Sequence, residues 1–78
     1  MNAHVMSTFT IFESPLDYPG KFVVREFRLH AGQLDPVPAE EPLAVVDTLD
    51  EARDAIPQGM YPLARAVEDH ESVVETWI

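Results

Sequence analysis

The chain has 78 residues, and its 14 acidic and 5 basic side chains give a formal net charge of −9 at pH 7. This length supports one domain with one hydrophobic core, and a hydrophobic share of 46% is too high for a disordered acidic chain. The charge argues against binding to nucleic acid or an anionic membrane, both of which need a basic patch, and the lack of cysteine excludes disulfides and thiolate metal ligands.

The first predicted elements are two strands of an antiparallel hairpin. Residues 8–12 alternate polar and apolar side chains, which is typical of a strand. Residues 21–29 are the longest run of strand-favouring residues, and we expect them to form the central strand of the fold. Residues 1–7 are expected to be a loose N-terminal leader, so the domain itself spans residues 8–78.

The connection between these two strands is rich in turn-forming residues. Pro19 and Gly20 suit the middle positions of a type II turn, because proline fixes φ and glycine accepts a positive φ. Leu16 and Tyr18 are the apolar residues of this connection, and we expect both of them to fold back onto the sheet.

Residues 30–42 have the composition of a surface loop. They include Pro36, Pro38 and Pro42, which interrupt a helix and remove hydrogen-bond donors from a strand. We therefore expect a mobile loop. Its role is either that of a plain connector, which we favour, or that of a binding lid.

A short helix is predicted in the second half of the chain. Residues 43–46 before it are apolar and form either a brief strand or an extended segment under the helix. Thr48 and Glu51 fit a capping box at the start of the helix, and Pro57 disfavours helical backbone at Ile56. The helix therefore has about two turns. Its apolar stripe consists of Leu49, Ala52 and Ile56.

The end of the chain contains one ambiguous segment and one clear strand. Residues 60–67 include Pro62 and fit either an irregular segment or an edge strand. Residues 68–72 are polar and predict a turn. Residues 73–78 are rich in strand-favouring side chains, and we expect them to be tied into the sheet.

Together these elements predict an α+β fold. In the order β-β-α-β, they give a small antiparallel sheet of three or four strands with one short helix packed on one face. One or two apolar residues from each element are expected in the core: Phe9, Ile11, Phe22, Val24, Leu49, Ile56, Val74 and Trp77.

The sequence offers few candidates for catalysis or metal binding. His70 lies among Glu68, Asp69 and Glu71, so this cluster is either a metal site or a solvated turn. We favour the turn, because a metal site needs several convergent ligands at a recognisable spacing. No serine lies in a nucleophile motif, and the glycines are too far apart for a phosphate loop. We expect no enzyme activity, no cofactor and no metal.

The candidate interaction surface consists of Arg25, Phe27, Arg65 and Trp77. If Arg25 and Glu75 lie on neighbouring strands, they form a cross-strand ion pair beside the aromatic rings. That structural role, which we favour, and a ligand-binding patch are both compatible with the sequence.

Several short motifs resemble a group of short bacterial proteins of unassigned function. They are Asp17-Tyr18-Pro19, Phe22-Val23-Val24-Arg25, Leu49-x-Glu51-Ala52-Arg53, Ile56-Pro57 and Val74-Glu75-Thr76-Trp77. The resemblance covers most of the chain except the first seven residues and the loop 30–42. Phe27 departs from it, since a tryptophan is expected near this position. The resemblance implies a bacterial origin and assigns no catalytic or binding residue.

These observations predict a cytoplasmic, non-enzymatic protein-interaction module that acts through a sheet face or edge. Its partner is an unknown protein or a second copy of the chain in a homodimer, and neither nucleic acid nor membrane. The alternative is an acidic inhibitor or decoy that covers a basic surface of a partner protein, as the net charge of −9 suggests.

Overall fold

The structure is a computed structural model that describes residues 5–65 and 70–78. These residues form a 6-stranded antiparallel sheet in which the strand order is β3-β2-β1-β6-β5, with β4 paired to β2. The elements are β1 (Val5–Glu13), β2 (Phe22–His30), β3 (Val37–Pro38), β4 (Ala44–Val46), α1 (Leu49–Ala55), β5 (Pro62–Ala64) and β6 (Val73–Trp77).

The predicted fold class, an α+β fold with three or four strands and a helix packed on one face, is wrong. The described part of the chain is mostly sheet, with six strands and only 10% helix. Strands β4 and β5 lie where the sequence left a brief strand and an edge strand as alternatives, whereas β3 lies in the expected loop and was missed. All three have only two or three residues, too few to show the alternation of side chains that identifies a strand. Each is held by pairing with a longer strand.

The predicted hairpin is confirmed, and its first strand begins earlier than expected. β1 and β2 pair along nine residues each, with Thr10 opposite Arg25 and Ile11 opposite Val24. Residues 5–7, which we expected in the leader, pair with the end of β2 and belong to the sheet. Residues 1–4 of the predicted leader lie outside the described residues.

β2 is an interior strand, as predicted for residues 21–29. β1 lies along one of its edges, and β3 and β4 follow one another along the other. The loop expected at residues 30–42 contains β3, and its Ala39 N–H donates to the Glu26 carbonyl at 2.9 Å. Pro38 is tolerated in β3 because an edge strand does not need every N–H group for the ladder.

The main buried cluster lies on the sheet face that carries Phe9, Ile11 and Val24, which we call the core face. Thr10, Val23 and Val73 are buried on the other face. Phe9, Ile11 and Val24 form the main cluster with Ala52 and Ile56 from the helical segment. All eight residues predicted for the core belong to this cluster or pack against it, so that prediction is confirmed. The partly buried residues packed around the cluster are Phe22, Ala44, Val46, Leu49, Ala55, Met60, Val74 and Trp77.

The predicted limits of the helix are confirmed. The Thr48 hydroxyl accepts a hydrogen bond from the Glu51 N–H at 3.2 Å and lies 3.0 Å from the Glu51 carboxylate, to which it donates. Ile56 ends the helix with extended backbone at φ −70 and ψ 134, as expected for a residue before proline.

Replacing Thr48 with alanine is expected to lower the free energy of unfolding by about 1 kcal/mol, because the Glu51 N–H loses its capping acceptor. For a domain of this size the melting temperature falls by about 4–8 °C. Circular dichroism during heating measures the change. Thr48→Ser keeps the hydroxyl and is the control. Equal melting of wild type and Thr48→Ala would contradict the capping role.

The end of the chain forms two paired strands. Within residues 60–67, β5 is an edge strand that pairs with β6, and residues 66 and 67 lie outside the described residues. Residues 71 and 72 form the turn before β6, while Glu68 and Asp69 of the predicted polar turn are also outside the described part. Among the described residues, no helix is both long and apolar enough to cross a membrane.

Candidate functional site

The sheet face opposite the core face carries Arg25 and is the candidate site. Across β1 and β2, Thr8 pairs with Phe27 and Thr10 with Arg25, so their side chains share this face. We call it the Arg25 face. Its strand residues are Met6, Thr8, Thr10, Phe12, Val23, Arg25, Phe27, Leu29, Pro38, Val45, Leu63, Val73 and Thr76.

Arg25 joins two loops to this face. Its Nη2 lies 3.5 Å from an oxygen of the Asp17 carboxylate, and its Nη1 donates to the Ala39 carbonyl at 3.1 Å and to the Glu40 carbonyl at 3.4 Å. The Arg25 side chain is only 18% exposed, whereas that of Asp17 is 62% exposed. The guanidinium is therefore occupied by the protein itself, and the carboxylate of Asp17 faces solvent.

A small cleft opens on the Arg25 face beside this ion pair. Its volume is about 100 Å³, and it is lined by Phe12, Pro15, Asp17, Val23 and Arg25. The ring centroid of Phe12 lies 6.5 Å from that of Phe27, with the two ring planes tilted by 45°. The uncharged lining of the cleft, Phe12, Pro15 and Val23, is apolar, and its two charged residues form an ion pair.

The loop between β1 and β2 forms one wall of the cleft and is closed by its own hydrogen bonds. The Gly20 N–H donates to the Ser14 hydroxyl at 2.9 Å, and the Ser14 N–H donates to the Lys21 carbonyl at 2.7 Å. The Lys21 N–H reaches the Tyr18 carbonyl at 3.2 Å, and Gly20 has φ 78, which confirms the type II turn predicted there.

Leu16 does not fold back onto the sheet, so that prediction is wrong. It is fully exposed at the tip of the loop, whereas Tyr18 is half-buried. The closed loop turns Pro15 and Asp17 towards the cleft and leaves the intervening side chain outside. An exposed leucine on a hydrogen-bonded loop is apolar surface available for contact with another molecule.

Trp77 lies on the core face, away from Arg25 and Phe27. It is opposite Phe9 in the sheet and packs against the buried cluster. Arg65, the fourth residue of the predicted surface, is exposed just after β5. Of the four predicted residues, only Arg25 and Phe27 come together on one face.

The predicted ion pair between Arg25 and Glu75 does not form, because β1 separates β2 from β6. Glu75 instead accepts from Arg53, through Nε at 2.8 Å and Nη2 at 3.2 Å, and from the Trp77 indole N–H at 3.1 Å. The hydrogen bond from Arg53 is the largest cause that lowers the pKa of Glu75 below its ordinary value of 4.5, and burial acts in the opposite direction. This carboxylate links the helix to the last strand.

The lowered pKa of Glu75 predicts a loss of stability in acid. Because the unfolded chain binds the proton more readily, the stabilisation from this carboxylate is complete above pH 4.5 and is lost as the pH falls through the lower pKa of the folded state. Urea unfolding at several pH values measures it. Glu75→Gln is expected to remove this part of the pH dependence, whereas Glu71→Gln, at an exposed turn residue, keeps it. Identical pH profiles for Glu75→Gln and wild type would contradict this role.

His70 takes part in a local turn. Its Nδ1 lies 2.9 Å from the Ser72 hydroxyl and 3.1 Å from the Ser72 N–H, which donates to it. Among residues 5–65 and 70–78, no group of three or more His, Cys, Asp or Glu side chains is placed to hold a metal ion. Two acids of the predicted cluster, Glu68 and Asp69, lie outside those residues.

A second, wider depression of about 470 Å³ lies at the other end of the hairpin. Its lining consists of Val5, Met6, Leu29, His30, Ala31, Gly32 and Gln33. His30 and Gln33 are the polar side chains of this lining, and the Gln33 side-chain oxygen accepts a hydrogen bond from the His30 N–H at 3.2 Å. The smaller cleft on the Arg25 face contains an ion pair between two of its lining residues, and we therefore take it as the candidate site.

No protein-family model matches the chain, and neither a curated protein nor a solved structure is significantly similar to it. The resemblance to short bacterial proteins therefore stays a prediction. Sequence reasoning placed Arg25 and Phe27 on one face and missed the cleft between Arg25 and the loop. The Pro19-Gly20 turn was the one signal for that loop, and it does not specify where Pro15 and Asp17 lie.

Proposed function

We propose that this protein is a non-enzymatic protein-interaction module that binds its partner through the Arg25 face. The observation that carries the proposal is the composition of this face. Its strand positions among the described residues hold two phenylalanines, one arginine, three threonines and seven further apolar residues, and no carboxylate, in a chain with 14 acidic residues. Aromatic and arginine side chains are enriched, and acidic ones depleted, at the centres of protein interfaces.

The chemistry of the cleft supports binding over catalysis. Its two charged groups, Arg25 and Asp17, are paired with each other, and the rest of its lining is apolar. An enzyme site brings several polar groups together around the substrate, and this cleft contains one ion pair and no other polar side chain among the described residues. We therefore propose a role without enzyme activity or cofactor.

The proposed partner is a protein, either a different chain or a second copy in a homodimer, and neither nucleic acid nor membrane. The net charge of −9 supports this choice, because both of the excluded surfaces are themselves anionic. The proposed compartment is the cytoplasm of a bacterium, as expected from the sequence.

Affinity capture from the native host tests the proposal when the same experiment is done with two alanine variants. Phe27→Ala removes an aromatic side chain from the Arg25 face, and Leu34→Ala removes an exposed leucine elsewhere. We expect a partner that binds wild type and Leu34→Ala equally and binds Phe27→Ala at least about tenfold less. Unfolding curves check that both variants fold. A partner retained equally by both variants would contradict the use of this face.

The alternative function, an acidic inhibitor or decoy for a basic protein surface, is supported by the distribution of charge. Four ion pairs hold basic side chains within the described residues: Lys21–Asp47, Arg25–Asp17, Arg28–Glu26 and Arg53–Glu75. The carboxylates of Asp50, Glu51 and Asp54 on the helix are exposed and take no part in these pairs. The helix thus presents a negative surface to a basic partner.

Variants of the helix and of the Arg25 face, together with salt, separate the alternative from the first proposal. A partner held by the acidic helix is expected to be released as the salt concentration rises, because salt screens exposed charges beyond about 8 Å at physiological ionic strength. Asp50→Asn together with Asp54→Asn is expected to weaken it further, and Phe27→Ala is expected to leave it bound. Recovery that does not change with salt would overturn the alternative.

A further inference from the structure

We infer that the cleft on the Arg25 face receives one aliphatic side chain from a basic segment of the partner protein. This inference rests on the proposed function and specifies the chemistry of the partner. The cleft volume of about 100 Å³ is small, which suits one side chain rather than a longer segment of a partner. Phe12, Pro15 and Val23 supply the apolar lining that such a side chain needs.

The wall of the cleft is formed before a partner binds. Two hydrogen bonds join the ends of the loop, one from the Gly20 N–H to the Ser14 hydroxyl and one from the Ser14 N–H to the Lys21 carbonyl. The Lys21 ammonium also pairs with Asp47, which follows β4. A wall that is already ordered loses little conformational freedom on binding, so more of the contact energy appears as affinity.

Leu16 offers an apolar contact outside the cleft, to the residues that flank the inserted side chain. It is fully exposed and stands between Pro15 and Asp17, both of which line the cleft. A side chain inserted beside these two residues brings its neighbours in the partner against Leu16. Binding then removes an isolated apolar side chain from water.

The charge around the cleft favours a basic segment as the occupant. The Asp17 carboxylate is 62% exposed, and only its 3.5 Å contact with Arg25 opposes its charge within the described residues. Arg25 is itself engaged by Asp17 and by the carbonyls of Ala39 and Glu40, so it is not offered to an anionic ligand. A lysine or arginine next to the inserted side chain pairs with Asp17, and the net charge of −9 attracts the segment.

Three short peptides test the inference by NMR titration of the isotope-labelled full chain. The probe is acetyl-Lys-Leu-Lys-amide, for which we expect saturable shifts at Phe12, Leu16 and Val23 and a dissociation constant of about 1 mM, as for a short flexible ligand with one anchor. Acetyl-Lys-Ala-Lys-amide is expected to bind about tenfold more weakly, because it buries three fewer carbons. Acetyl-Glu-Leu-Glu-amide is expected not to bind.

Matched variants distinguish binding at the cleft from nonspecific binding elsewhere on the surface. Leu16→Ala and Asp17→Asn are each expected to weaken the basic probe about threefold at low salt, whereas Leu34→Ala and Asp35→Asn, exposed residues of another loop, leave it unchanged. Salt is expected to remove the difference between Asp17→Asn and wild type. The inference is overturned if Leu34→Ala and Asp35→Asn weaken binding of the probe as much as Leu16→Ala and Asp17→Asn do. It is also overturned if the chemical-shift changes lie away from the cleft and its loop.

The outcomes also separate this inference from the proposed function. If the probe does not bind while Phe27→Ala still abolishes recovery of a partner, the interaction module stands and the basic aliphatic segment is wrong. If the same shifts appear when the protein alone is concentrated, the occupant is a second copy, which overturns the basic segment. If the probe binds while Phe27→Ala retains every partner, the cleft is a peptide site and the wider Arg25 face is not the interface.

Discussion

An Ile11→Ala variant is expected to lose about 2–5 kcal/mol of its free energy of unfolding, because the removal of buried methyl groups leaves a cavity that the surroundings fill only in part. Ile11 is fully buried on the core face, opposite Val24 on β2, in the same cluster as Ala52 and Ile56. A domain of 78 residues has a total stability of about 4–12 kcal/mol. The variant is therefore largely unfolded at moderate urea concentrations where wild type is folded.

Urea unfolding followed by the fluorescence of Trp77 measures this loss. Leu34→Ala is the matched control, because Leu34 is almost fully exposed and its truncation is expected to change stability by less than about 0.5 kcal/mol. The dependence of the unfolding free energy on urea concentration should be unchanged in both variants. A loss below about 1 kcal/mol for Ile11→Ala would show that this side chain is not at the centre of the core.

The long elements of this fold were predictable because each carries a pattern of several residues. Strands β1, β2 and β6 have enough side chains to show strand propensity, and the helix has a capping box with proline after its end. Because alternate residues of a strand point to the same face, the sequence also predicted that Phe9 and Ile11 share a face, and that Phe22 and Val24 share a face. These pairs lie in or against one core, so the predicted core was correct even though the predicted fold class was not.

The short strands were not predictable in the same way. Two or three residues such as those of β3 and β5 have no period of their own, and Pro38 and Pro62 argue against a strand when the segment is considered alone. Both are edge strands that exist because a longer neighbour supplies hydrogen-bond partners. The sheet therefore has six strands where local patterns predicted three or four.

The candidate site shows the same limit. Arg25 and Phe27 share a face because they are two residues apart on one strand, which the sequence shows directly. The face of Trp77 depends on the register between β6 and β1, where a bulge between Ile11 and Phe12 shifts the pairing. Register is a tertiary property, so Trp77 was predicted both for the core and for the interaction surface.

Replacing Trp77 with alanine is expected to lower the free energy of unfolding by about 2–4 kcal/mol, somewhat less than for a fully buried tryptophan. Its ring packs against the buried cluster opposite Phe9, and its indole N–H donates to the Glu75 carboxylate. Both contacts lie on the core face. Circular dichroism during urea unfolding measures the loss, since the variant has no tryptophan to report fluorescence.

Trp77→Phe decides whether this tryptophan is structural or also part of an interface. It keeps an aromatic ring in the core, but it removes the hydrogen bond to Glu75 and part of the packing volume of the indole, so we expect a loss of about 1–2 kcal/mol and a folded protein. Because Trp77 lies on the face opposite Arg25, the folded variant should bind the basic probe peptide and any captured partner as wild type does. A folded Trp77→Phe protein that no longer binds a partner would place the interface on the core side of the sheet, whereas normal binding together with loss in Phe27→Ala would assign it to the Arg25 face.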